Sequence, residues 1–366
     1  MTTTMAGIGL AVPPGRITAT QSVDLAAMIA GEGADRAAAE RLAVGTGIRE
    51  RSSVLWREGE GQSLYESPRE GRREGPGTAQ RLREATSHAS DLAEAASRRA
   101  LATAGIDAAA ITHVVTASCT VLEAPGFDQA LMDRLGLDRG VRRTNVGFMG
   151  CHAAINALAV ADAIVRADPG AVAMVCCVEL CSLHMHYSSR ADRLVANALF
   201  ADGAAACVVR ASATDEREPR VRTFGSRLFG DDRGRPTREA MAWSIGDHGF
   251  EMTLSPRVPR LLEASCGAWI DEVLARVSLS RGEVGSWAIH PGGPRVVEAI
   301  ARGLSLSDVA RAQAEADALG VLADHGNMSS ATVLFIIERL RARRAARPWV
   351  AMAFGPGLAG EAVVLA

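Results

Sequence analysis

The run Ala153 to Val165 is apolar on nearly every face, interrupted only by Asn156 and Asp162. A helix of that composition has no side to offer to water, so it belongs inside the protein rather than on its surface. A second buried run, Ser330 to Arg341, follows Gly326-Asn327-Met328. Around each the same order recurs. In the first half a helix from about Ala89 through Ala104, a strand Ile111–Ala117 and a short helix from about Phe127 precede the buried helix, and a strand Val172–Val178 follows it. In the second half a helix Leu261–Val277 and a strand Gly285–Ile289 precede it, and a strand Trp349–Phe354 follows. This repetition predicts two related α/β halves, residues 1–214 and 215–366, whose loops meet at strand ends and helix starts.

Other stretches punctuate this plan. Ile8–Val12 reads as a strand, Ser22–Ala30 and Ala34–Val44 as helices, Phe200-Ala-Asp-Gly203 as a turn and Ala204–Val209 as a further strand. Residues 57–80 are dominated by Arg, Glu, Gly and Pro and read as a long exposed loop. Gly7-Ile-Gly9 is not a dinucleotide fingerprint, because Pro13 and Pro14 stand where that motif opens a helix.

Composition narrows the function classes. With 40 basic and 42 acidic side chains the formal net charge is -2, which gives no electrostatic case for nucleic acid or an anionic membrane. Seven cysteines, with Cys176 and Cys177 adjacent in an apolar run, argue against a disulfide framework and for a reducing cytoplasm. No Cys or His spacing suggests a metal site. No targeting segment and no apolar run of membrane-spanning length is visible.

Three residues occupy comparable places in the repeat: Cys151 opens the first buried helix, His290 ends a strand, and Asn327 precedes the second buried helix. A thiol at a helix start feels unsatisfied N–H groups and a positive dipole end, which favour the reactive thiolate. Each residue also has a bland alternative: a packed cysteine, a satisfied polar histidine, a helix-capping asparagine. Together they suit more than packing. A Cys–His pair attacks acyl thioesters, and a His–Asn pair donates two hydrogen bonds to a thioester oxygen as it becomes an enolate.

The strings Ile111-Thr-His-Val-Val-Thr-Ala-Ser-Cys-Thr-Val-Leu-Glu-Ala-Pro125-Gly126, Ala198-Leu-Phe200-Ala-Asp-Gly203, Ile289-His290-Pro-Gly-Gly-Pro294, Gly326-Asn327-Met-Ser-Ser330 and Phe354-Gly-Pro-Gly-Leu358 resemble type III polyketide synthases of the chalcone and stilbene synthase family. The resemblance runs from about residue 6 to the C-terminus. It implies the thiolase fold, a duplicated five-layered αβαβα arrangement, and a cytoplasmic homodimer. It also implies iterative use of an acyl-CoA starter and malonyl-CoA, with no cofactor and no acyl carrier protein.

By the same resemblance Cys151 holds the starter and growing chain, while His290 and Asn327 promote decarboxylation and stabilise the enolate. Phe200 and Phe250 match two aromatic gatekeepers. Cys119, Thr120, Cys181, His184 and Ser329 match the cavity wall, and Gly355, Pro356 and Gly357 its floor. Arg49, Arg51 and Arg57 resemble the basic mouth that meets coenzyme A phosphates, a role suited to Arg geometry. Gly292 and Gly293 are counted among the coenzyme A contacts. His152, adjacent to the nucleophile, is unusual for the family; as its neighbour on a helix it points about 100° away, which leaves His290 as the base. Cys119, Cys181 and His184 differ from plant chalcone synthases and argue against a flavonoid product. A fatty acyl starter and a pyrone, resorcinol or phloroglucinol-like product are the expectation. Two alternatives stay open: a ketoacyl synthase III that condenses once onto acyl carrier protein, and a catalytically silent acyl-CoA binder of the same fold.

Overall fold

The computed structural model describes residues 2–30, 36–68, 74–211, 218–231 and 237–366. Nine strands form one sheet: β1 (Thr3–Ala11), β2 (His113–Ser118), β3 (Arg142–Gly147), β4 (Val172–Leu180), β5 (Asp202–Ala211), β6 (Arg220–Leu228), β7 (Ser286–Ile289), β8 (Trp349–Gly355) and β9 (Ala359–Leu365). Their order is β7-β8-β9-β6-β1-β5-β4-β2-β3. It is nearly a palindrome about the β6–β1 junction. On one side β1 pairs antiparallel with β5, β5 antiparallel with β4, and β4 parallel with β2. On the other side β6 pairs antiparallel with β9, β9 antiparallel with β8, and β8 parallel with β7. The halves join through Thr3↔Val221 and Thr4↔Arg220. One four-strand plan is therefore used twice, with β3 added beyond β2.

Strand alternation sorts the side chains into layers. In β4, Ala173, Val175 and Cys177 join a cluster with helices Ala153–Ala167 and Thr332–Ala342. Met174, Cys176 and Val178 face the other way, onto helices Thr78–Ala104 and Phe127–Leu135. β8 divides likewise: Trp349, Ala351 and Ala353 point to the shared cluster, whereas Val350, Met352 and Phe354 pack on helices Val258–Ala275 and Pro294–Gly303. The layers run helix, sheet, helix, sheet, helix, and the two apolar helices form the middle one. Ile155, Leu334, Ile336 and Ile337 there are fully buried, and each such side chain contributes roughly 2 kcal/mol of transfer free energy. No helix among the described residues is long and apolar enough to cross a membrane.

The segment 57–80 departs from its expectation as an exposed loop. Trp56–Arg57 pairs with Gly61–Gln62 in a small hairpin, and Tyr65 is buried. The helix expected from Ala89 already begins at Thr78; residues 69–73 lie outside the described residues. The physical reason is Arg81. In sequence it is one more charge in a charged stretch, but its guanidinium is fully buried. It donates to the Tyr65 hydroxyl at 3.0 Å and to the carbonyls of Pro76, Leu183 and Met185 at 2.8, 2.8 and 2.9 Å. One cation thus brackets the hairpin segment, the helix start and the loop after β4. Replacing Arg81 by Met leaves those acceptors unpaired, and is expected to lower unfolding free energy by on the order of 3 kcal/mol. Urea denaturation of the variant checks this, and an unchanged midpoint would contradict it.

Candidate active site

Cys151 lies in a tight 3-10 turn, Gly150–His152, that runs directly into helix Ala153–Ala167. Gly150 has φ +79°, and a Cβ there would sit 2.2 Å from the Pro356 ring, so glycine alone lets the turn close against the loop after β8. Two non-glycine residues near the site also hold left-handed backbones, Phe148 at φ +62° and Ser329 at φ +46°. Backbone strain of that kind, of order 1–3 kcal/mol per residue, gathers at sites the surrounding structure over-determines.

The electrostatics run against the expectation that the helix start favours a thiolate at Cys151. Burial pushes the Cys151 thiol up to about 12, although a hydrogen bond with the Ser329 side chain pulls in the other direction. Burial likewise pushes His290 down to about 3, with the nearby His152 adding to the effect. Among the described residues neither ring nitrogen of His290 has a hydrogen-bond partner. In this dry site either charge alone is disfavoured.

His290 directly follows β7 and, like Asn327, is 1% exposed; neither is among the residues that line the cleft with Cys151. The backbone of Asn327 bridges to the segment around Phe200: its N–H donates to the Leu199 carbonyl and its carbonyl accepts from the Ala201 N–H, both at 2.9 Å. Its side-chain oxygen accepts from the Ser329 N–H at 2.9 Å. That local cap commits the acceptor end of the amide and not the nitrogen donor. His152 turns away from the cleft, with Nδ1 2.7 Å from the Asn156 side-chain oxygen and the ring against Gly355.

The cleft encloses about 740 Å³, its open mouth included, and is lined by Cys151, Cys119, Thr120, Cys181, His184 and Ser329. Phe200, Phe250, Pro356 and Arg51 complete the set that the sequence brings to it. Phe250 stacks on His184 with centroids 3.9 Å apart and on Trp243 at 5.2 Å. The Gly150 N–H donates to the Cys119 sulfur at 2.9 Å, which ties the wall to the nucleophile turn. Gly355 and Gly357 flank Pro356, and Gly292 and Gly293 precede helix Pro294–Gly303.

The three arginines do not form one basic mouth. Arg49 is exposed and paired with Asp324, and Arg57 is exposed and paired with Glu60 at 3.6 Å. Arg51 is 2% exposed and lines the cleft from within the protein, with its guanidinium on the Phe200 carbonyl. Burial lowers it to about 10.

Sequence reasoning missed Glu179. It is fully buried at the end of β4 and accepts from the Thr120 hydroxyl at 2.6 Å, the Ser330 hydroxyl at 2.5 Å and the Cys119 N–H at 3.1 Å. Burial raises it above the usual carboxylate range. It ties the wall from one half to the helix start of the other, and its signal was a single carboxylate inside an apolar strand. Trp243, Met241 and Met252 were also missed; they reach the cleft from the hairpin Met241–Gly246 and Gly249–Leu254.

Comparison with known proteins agrees with this geometry. Family models described as chalcone and stilbene synthases, N-terminal domain and C-terminal domain, match residues 2–213 and 235–366. The alpha-pyrone synthesis polyketide synthase-like Pks18 of Mycobacterium tuberculosis is 36% identical over 285 residues, covering 76% of this chain and 70% of its own. The 1,3,6,8-tetrahydroxynaphthalene synthase of Streptomyces peucetius subsp. caesius is 33% identical over 370 residues, covering 99% and 93%. The crystal structure of PKS-I from the brown alga Ectocarpus siliculosus superposes with a TM-score of 0.91 at 28% identity, covering 100% of this chain and 98% of that one. The duplicated five-layered arrangement is the thiolase-like fold of these enzymes. The chain belongs to the chalcone and stilbene synthase family, the type III polyketide synthases.

Proposed function

We propose that the protein loads an acyl group from a coenzyme A thioester onto Cys151, extends it repeatedly with malonyl-CoA, and releases a cyclised pyrone, resorcinol or phloroglucinol-type product. The observation that carries this reading is a cleft in which Cys151 stands among Phe200, Phe250 and Ser329, with His290 and Asn327 buried outside its lining. In the loading step the thiol proton passes to His290 as sulfur attacks the thioester carbonyl. The tetrahedral intermediate collapses, and the coenzyme A thiol leaves with that proton. In extension, malonyl-CoA loses carbon dioxide, and the electron pair of the broken C–C bond forms an enolate whose oxygen takes hydrogen bonds from His290 and the Asn327 amide. The enolate carbon attacks the Cys151 thioester, a C–C bond forms and the C–S bond breaks. The lengthened chain returns from coenzyme A to Cys151 for the next round. The scheme requires no metal and no redox cofactor.

The walls contributed by Met185, Met241, Met252, Trp243 and Ala196 are apolar, which supports an aliphatic acyl starter. The name of the Mycobacterium tuberculosis relative, with its alpha-pyrone synthesis, supports a pyrone among the products. A homodimer fits the surface. β3 ends the sheet with no partner on its outer side among the described residues, and Leu122, Phe148 and Met149 are exposed near its end. An open strand edge beside apolar side chains is a surface that associates.

Incubation with malonyl-CoA and C6 to C16 acyl-CoA starters is expected to yield products carrying two or more malonyl-derived units, identified by mass spectrometry and lost in Cys151→Ala. Products of one condensation only, formed only with acyl carrier protein, would contradict the reading. Asn327→Ala is expected to slow malonyl-CoA decarboxylation about 100-fold while starter loading changes little. Equal loss of both steps would make Asn327 a structural cap. Charge on Cys151 and His290 arises as a pair, so His290→Ala should cut iodoacetamide alkylation of Cys151 at pH 7 by at least about 10-fold, with the rate then climbing as pH rises. An unchanged pH profile would show that His290 does not take the proton. Phe148→Glu is expected to halve the mass seen by sedimentation equilibrium, and an unchanged mass would move the interface elsewhere.

A further inference from the structure

We propose that Arg51 is a positioning residue that holds the Phe200 gate and Asn327 in mutual register from inside the protein. The proposal rests on Asn327 as the enolate's hydrogen-bond donor. Backbone accounting at the bridge carries it. The Phe200 N–H goes to the Ala196 carbonyl at 3.1 Å, while the Leu199 carbonyl and Ala201 N–H go to Asn327. Between the two groups that meet Asn327 lies the Phe200 carbonyl, and it accepts from Arg51 Nη1. Nη2 of the same guanidinium donates to the Ser22 hydroxyl at 3.2 Å, which anchors the arginine on the helix Ala19–Ala30.

Arg51 also touches the other side of the bridge. A Cβ on Gly326, the residue before Asn327, would lie 2.9 Å from the Arg51 Cβ and 2.7 Å from that of Ala201. The Asn327 loop is thus seated directly on the arginine stem. Beyond Ala201, the Asp202 carboxylate is fixed by the Ser182 N–H at 2.7 Å and the Val54 N–H at 2.8 Å, and its negative charge favours the buried cation. A planar, permanently charged fork spans two acceptors in one fixed geometry, which an ammonium does not do. One residue of the N-terminal half thereby sets both the aromatic gate and the amide that the C-terminal half supplies.

The sequence alone pointed to a contact with coenzyme A phosphates, and the test separates the two roles. Malonyl decarboxylation is measured for Arg51→Met and Arg51→Lys with malonyl-CoA and with malonyl-N-acetylcysteamine, which carries no phosphate. The expected result for Arg51→Met is a fall in kcat of at least about 30-fold on both substrates alike, the scale of effect when a reacting group is misplaced by a fraction of an ångström. KM for malonyl-CoA and the alkylation rate of Cys151 should stay within about 3-fold, because neither depends on the Asn327 amide. Arg51→Lys keeps one donor and the buried charge, and is expected to fall between; it remains informative where the Met variant does not fold. A loss with malonyl-CoA that disappears with malonyl-N-acetylcysteamine would assign Arg51 to the phosphates and overturn the proposal. Parallel loss of alkylation and decarboxylation, or no loss, would overturn it as well. Absence of decarboxylation in the intact protein on either substrate would bring down the synthase reading itself.

Discussion

The mutual burial of two apolar helices, Ala153–Ala167 and Thr332–Ala342, is the constraint on which the rest of the structure depends. Neither can face water, so each half must cover both, and the two halves of the sheet close over them from opposite sides. Each helix begins at a tight turn next to a functional residue: Cys151 before the first, and Asn327 and Ser329 before the second. Hydrophobic packing therefore brings together groups that are far apart in the chain. The polar ties then set the fine geometry. Glu179 bonds Thr120 of one half and Ser330 of the other, and the Asn327 backbone clips onto Leu199 and Ala201. Burial makes those ties consequential, since an unpaired polar group at this depth costs ~1–3 kcal/mol.

The same dryness shapes the chemistry. Burial works against a lone thiolate at Cys151 and against a lone imidazolium at His290. In the proposed mechanism a proton passing between them keeps the site neutral overall, which turns a general penalty on charge into a reason for the two residues to act as a pair. The helix start beneath Cys151 assists, but it does not by itself outweigh burial of this completeness.

Much of the architecture was legible because it is written in hydrophobic periodicity and turn chemistry. The repeated helix–strand plan led to the duplicated layers, and the apolar runs marked the middle layer correctly. The strand β6, the hairpin that carries Trp243 and Phe250, and the helix Asp308–His325 were not read, since their residues alternate weakly and mix charge with apolar side chains. The charged interior was the least legible part. Arg51 and Arg81 look like solvated charges in a one-dimensional string, Glu179 like a lone charge in an apolar strand, and only their hydrogen-bond partners, supplied by distant segments, explain their burial. Cys151 and its loop could be recognised from local chemistry, whereas the register between Phe200 and Asn327 exists only in three dimensions.

The most direct measurement is intact-protein mass spectrometry of the enzyme quenched in acid during turnover with an acyl-CoA starter and malonyl-CoA. The account predicts a series of covalent adducts on the peptide containing Cys151, the starter acyl group followed by species lengthened in steps of one ketide unit. Adducts that stop at the starter while extended products accumulate in solution would contradict Cys151 as the carrier of the growing chain, and adducts on any other residue would contradict it outright.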